Sequence, residues 1–151
     1  MEISISLPKY LIKYMRTLYG EPYTPHADDE IGIYILNILE RKTSLSEYKY
    51  SLKKNETHSY TLIISMSCYE KRGCLLSKEK LALIQKYIDS HFRKEIFRNA
   101  VLNYHKFKIP YKASILTALQ AYDITEGELS YETLRKDFNR KKGAIEKRLI
   151  K

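Results

Sequence analysis

The chain has 151 residues, of which 44 % are hydrophobic and 30 % charged, and its formal net charge is +9. That balance is too apolar for a disordered chain and suffices for a compact domain with a buried core, while the basic excess points to an acidic partner such as nucleic acid. The longest purely apolar run, Leu62-Ile63-Ile64, is far too short to cross a bilayer, and Met1 followed at once by Glu2 reads as the start of a strand rather than as a signal peptide.

Glu2 to Leu7 alternates, with Ile3, Ile5 and Leu7 on one side, and predicts a short strand. Pro8 suits the first turn of a helix whose apolar face is Leu11, Met15, Leu18 and Tyr19, and Gly20 ends it. Asp28 or Asp29 can cap a second helix bearing Ile31, Ile35, Ile38 and Leu39, apolar enough to be buried on most sides. Tyr48, Tyr50 and Leu52 alternate, as do Tyr60, Leu62, Ile64, Met66 and Cys68. With a turn around Asn55 they predict a β-hairpin whose second strand closes at Gly73. Ser77 opens a helix with the stripe Leu81, Ile84, Ile88, Phe92 and Ile96, running to about Lys106 with room for a break near Phe97. Pro110 restarts the chain, and Ile115, Leu116, Leu119 and Tyr122 mark the next helix. Asp123 to Leu129 is a turn, Ser130 caps the last helix, and Gly143 can end or interrupt it. The expected fold is α+β: an N-terminal strand, a hairpin and about five helices, divided into an arm at 1–44, the hairpin at 45–76 and a helical unit at 77–151 that ends in a basic helix.

Ser130 to Lys151 carries a net +5, against +4 for all the rest. Tyr131, Leu134, Phe138 and Ile145 line one side of a helix, and Thr133, Lys136, Arg140 and Lys147 fall opposite. A helix docked by one face and cationic on the other suits a phosphate backbone, where each neutralised phosphate releases counterions. A solvated helix end whose last-turn cations complement the dipole is the plainer alternative.

The order strand, Leu-Pro, helix, loop, helix, in "ISISLPKYLIKYM" followed by "IGIYILNIL", resembles the ribbon-helix-helix DNA-binding family. The resemblance implies protomers paired through residues 1–44, with strand side chains reading bases. The matching positions, Glu2, Ser4 and Ser6, lack the Arg, Lys, Asn or Gln that read bases strongly, and Asp28, Asp29 and Glu30 would repel a phosphate at the second helix. Pro110 to Lys142 resembles a helix-turn-helix unit with a longer turn. That resemblance makes Thr133, Lys136, Asn139 and Arg140 the readers and puts Arg135, Lys141, Lys142, Lys147 and Arg148 on phosphates. The wider order "ISISLPKYLIKYMRTLYGEP", "YTLIISM", "LSKEKLALIQKYIDSHF", "LSYETLRKDFNRKK" resembles a group of small basic proteins of Bacteroidetes phages and mobile elements. It implies a phage or mobile-element origin and a basic K-x-x-x-R-K end, met by Lys136, Arg140 and Lys141, and it brings no catalytic residues; the cytoplasmic location expected in the host cell follows instead from the two idle thiols, Cys68 and Cys74.

His26, His58, His91 and His105 are scattered, and no H-E-x-x-H, G-x-x-x-x-G-K or G-x-S-x-G motif occurs. His26, Asp28 and Asp29 could hold a hard metal, but a helix cap explains both aspartates. Cys68 and Cys74 have no histidine beside them to complete a zinc pattern and read as reduced thiols, Cys68 as a small core residue at a strand end. The expectation is a non-enzymatic, cofactor-free protein that binds double-stranded DNA, a transcriptional regulator. The alternatives are a phage assembly or interaction protein with a basic tail, and an RNA-binding module stacking bases on Tyr48, Tyr50 and Tyr60.

Overall fold

The computed structural model describes residues 1–39 and 58–150. In chain order they form β1 (Glu2–Ser6), α1 (Lys9–Tyr19), α2 (Glu30–Ile38), β2 (Ser59–Ile63), α3 (Met66–Arg72), α4 (Lys78–Phe107), α5 (Tyr111–Ala121) and α6 (Tyr131–Leu149). The class is α+β, mostly helical, with six described helices and one two-stranded antiparallel sheet. The predicted strand at Tyr48 to Leu52 and its turn lie outside the described residues. The chain folds as two compact units that interleave in sequence. Met1–Pro8 with Leu18–Ile88 forms the first, and Lys9–Thr17 with Asp89–Lys151 the second.

In the first unit β1 runs antiparallel to β2, with Ile3 opposite Leu62 and Ile5 opposite Tyr60. The ribbon therefore forms within one chain. Tyr23 bridges the other side of β2, donating its N–H to the Thr61 carbonyl at 3.0 Å and accepting from the Ile63 N–H at 2.8 Å. Ile5, Leu7, Tyr23, Ile31, Ile35, Tyr60, Leu62 and Ile64 are buried here. Asp29 is the cap of α2, one carboxylate oxygen accepting from the Ile31 N–H at 3.1 Å and the other from the Tyr23 hydroxyl. Burial and that carboxylate together push the Tyr23 phenol well above its usual range. The cap reading of Asp29 thus holds. α2 is not buried on every side, since Ile33 is 42 % exposed.

Two sequence expectations fail between Ile64 and Gly73. The alternation through Met66 and Cys68 predicted continued strand, but β2 stops at Ile63 and α3 begins at Met66. Ser65 decides this by accepting the Cys68 N–H on its side-chain oxygen at 3.3 Å, an N-cap that period-2 spacing cannot reveal. Cys68 is therefore a half-buried helical thiol, free like Cys74. Gly73, at φ 81°, ends a helix rather than a strand.

In the second unit α1 contributes Leu11, Ile12, Tyr14 and Met15 to the core. The expected face was half right, because Leu18 is 42 % exposed. α4 runs unbroken through Phe97 to Phe107. A polar network crosses this core. The Tyr14 hydroxyl donates its one proton to Glu95 at 2.8 Å, so it must accept from His91 Nδ1, also at 2.8 Å, which fixes that ring nitrogen as protonated. The other Glu95 oxygen accepts from the Tyr122 hydroxyl at 2.6 Å. Lys13 donates to Glu128 at 2.7 Å and to the Asp123 carbonyl at 2.6 Å, tying α1 to the turn that leads into α6.

Candidate nucleic-acid interface

α6 starts where the sequence places it. Ser130 is extended, and its side-chain oxygen accepts the Thr133 N–H at 3.1 Å. Glu126 accepts the Tyr131 N–H at 3.1 Å, satisfying a second free donor of the first turn. The helix then passes through Gly143 without a break. No neighbour lies within 4 Å of where a Cβ at Gly143 would be, so that position is open surface.

The inner side is anchored by Leu134 and Phe138, which are 0 % and 2 % exposed. The Phe138 ring lies 5.3 Å from Phe97 and 5.0 Å from Tyr111. Tyr131 and Ile145, predicted on the same stripe, are half-buried. Beside this anchor an ionic clasp fixes the helix on α4. Arg93 donates to Asp137 at 3.0 Å and to Asp89 at 3.0 Å, and Tyr10 donates to Asp89 at 2.8 Å. Lys141 completes the clasp on Asp137 at 3.0 Å. Burial works against the Asp137 charge, yet the Lys141 and Arg93 donors outweigh it and hold the carboxyl below its usual range. Burial and Asp89 together raise the Tyr10 phenol to about 12.

The nine predicted contact residues separate into two groups. Arg135 is held by Glu132 through two of its nitrogens, one at 2.9 Å, which depresses the Glu132 carboxyl. Lys141 belongs to the Asp137 clasp. Lys142 lies over the Tyr111 ring, 4.8 Å from its centroid. The Thr133 hydroxyl is engaged with Ser130 at 2.7 Å. These four are on α6 as expected, but each already has a partner in the fold. Lys136, Asn139, Arg140, Lys147 and Arg148 are exposed. The Arg140 Nε–H makes only a long bond to the Lys136 carbonyl, 3.4 Å.

All three anions of α6 are drawn away from that exposed group. Glu132 faces Arg135, Asp137 faces Arg93 and Lys141, and Glu146 accepts the Tyr111 hydroxyl at 2.9 Å. Burial and the Glu146 bond raise the Tyr111 phenol to about 12. Arg140, Lys147 and Arg148 consequently have no carboxylate partner among the described residues, and Lys136 acts on Glu132 through its charge without forming an ion pair. At 3.6 residues per turn, Lys136, Arg140, Gly143 and Lys147 share an arc of about 60° and extend over roughly 16 Å. That length matches about five nucleotides of one DNA strand at 3.4 Å each. Gly143 and Ala144, both exposed, leave the middle of the stripe shallow.

Sequence reading missed Arg93, Asp89 and Tyr10, which orient the helix from elements far away in the chain. It also placed bases on Tyr60, which is 0 % exposed and donates its hydroxyl to the Gly20 carbonyl at 2.5 Å. Tyr48 and Tyr50 lie outside the described residues. No helix among the described residues is long and apolar enough to cross a membrane. Comparison with protein-family models, with curated proteins and with solved structures returned no match to this chain.

Proposed function

We propose that this is a non-enzymatic double-stranded DNA-binding protein, a regulator of phage or mobile-element origin, that holds the duplex along the outward side of α6. The observation that carries the reading is the sorting of charge on that helix. Its three anions are engaged by Arg135, by Arg93 with Lys141, and by Tyr111, while Lys136, Arg140 and Lys147 form a stripe that makes no ion pair among the described residues. Arg140 and Lys147 have no carboxylate at i,i+4 spacing to pair with and are left for an external polyanion. Asn139 and Arg140 are of the types that reach adenine and guanine edges, and both are exposed. Pairing of protomers through residues 1–44 would have to use a surface other than the β1–β2 ladder, which is already made within the chain.

The test is binding of a blunt duplex over a range of salt. Replacing Lys136, Arg140 and Lys147 together by Gln should flatten the slope of log affinity against log salt by about 2.7, at about 0.9 per lost phosphate contact. An unchanged slope would move the site off α6. A random-sequence duplex pool should yield an enriched motif for a regulator, whose specific sites bind orders of magnitude tighter than bulk DNA.

A further inference from the structure

The end of α4 exposes aromatic rings where a helix terminus has no packing reason to do so. Phe107 is 72 % exposed, the most exposed large hydrophobic side chain among the described residues, and Tyr104 is 41 % exposed. At i,i+3 spacing the two share one face of the helix. Tyr104 is held rigidly, stacked on Tyr111 at 4.4 Å and 23°. Two exposed cations, Lys106 and Lys108, flank Phe107 in sequence. Glu146 accepts the Tyr111 hydroxyl at 2.9 Å and lies 3.7 Å from His105 Nε2. Lys108 also has φ 57°, a left-handed conformation that glycine adopts at helix ends without cost. A lysine kept there at a cost in strain is a feature of functional sites.

We propose that the Tyr104–Phe107 face stacks unpaired bases of a nucleic-acid strand whose phosphates are met by Lys106 and Lys108. Exposed rings interleaved with cations are the arrangement that single-stranded nucleic acid requires, since every base has a π-face and every link a charge. An apolar partner protein would not call for the two exposed ammonium groups, and a purely electrostatic one would not call for Phe107. The inference rests on the nucleic-acid reading of α6 and extends it to a ligand with bases out of the duplex.

The full chain is titrated by fluorescence anisotropy with three labelled DNAs: a blunt duplex, a single strand of about ten nucleotides, and an abasic strand of the same length. The single strand should bind on the order of tenfold tighter than the abasic one, because only the former has bases to stack. Phe107→Ala should erase that ratio while leaving blunt-duplex affinity and Tm unchanged. Lys108→Gly should raise Tm by relieving the left-handed backbone, and should lower the single-strand salt slope by about 0.7. Equal binding of single and abasic strands, or a ratio that survives Phe107→Ala, overturns the proposal. So does a Phe107→Ala effect confined to the mass in solution or to binding of anionic phospholipid vesicles, which would assign the rings to a second copy or a lipid surface. If the duplex fails to bind but the base-dependent ratio holds, the duplex reading of α6 falls and this one stands.

Discussion

The two sides of α6 carry the same kinds of residue and use them in opposite ways. Toward α4, Asp137 gathers Arg93 and Lys141 at 3.0 Å each, next to the buried Phe138. On the outward side, Lys136, Arg140 and Lys147 face solvent and make no ion pair among the described residues. The geometry separates cations that serve the fold from cations that cost it some repulsion, and only the second kind are available to a ligand.

Substitutions on the two sides of α6 should have very different consequences. The largest expected effect is on the inner side: Phe138→Ala should cost about 3–5 kcal/mol, read from denaturant unfolding, because Phe97 and Tyr111 lose their shared neighbour. Asp137→Ala should cost about 2 kcal/mol by removing charged hydrogen bonds, with Arg93 retaining Asp89. It should also free Lys141. If the clasp only stabilises, DNA affinity rises with the added net charge; if it aims the helix, affinity falls despite that charge. Acid should act on the same contact. The folded Asp137 carboxyl titrates below its unfolded value of about 3.9, so its contribution is complete above that pH and is lost as pH falls further through the folded value. Asp137→Asn should therefore flatten the acid limb of a Tm-versus-pH curve below about pH 4. Gly143→Ala should add about 0.8–1 kcal/mol, since nothing opposes the new Cβ. Replacing Lys136, Arg140 and Lys147 by Gln should change stability by no more than about 0.5 kcal/mol, as expected of exposed positions without partners. A larger loss would mean that the outward side also serves the fold.

What sequence could say about this site follows from range. The Ser130 and Asp29 caps and the Leu134–Phe138 stripe are written within a few residues of where they act, and local pattern found them. Gly20 at φ 75° ended α1 as its residue type suggests. The Ser65 cap was equally local, but it competed with a run of alternating apolar residues, and over so short a stretch the two periods cannot be told apart. The Arg93–Asp137 contact and the Tyr14–His91–Glu95–Tyr122 network join residues from distant parts of the chain. No spacing rule reaches across such separations. Those long-range contacts decide which cations of α6 remain free, so the charge of the last helix was legible and its division into two sides was not. Phe107 was hidden for another reason: an exposed ring shows only after the stripe that buries Phe92 and Ile96 has been placed on the helix.

The interleaving of the two units bears on how the protein can be taken apart. Lys9–Thr17 packs with the C-terminal portion although it lies near the start of the chain. A fragment beginning at Asp89 would lack Tyr14, leaving His91 and one Glu95 oxygen without the hydroxyl that joins them, and would lack Lys13, stranding Glu128. The basic helix is therefore not a cassette that can be excised or grafted. Any polypeptide meant to retain it must begin far upstream, and a nick between residues 17 and 89 should leave both pieces associated rather than releasing a working half.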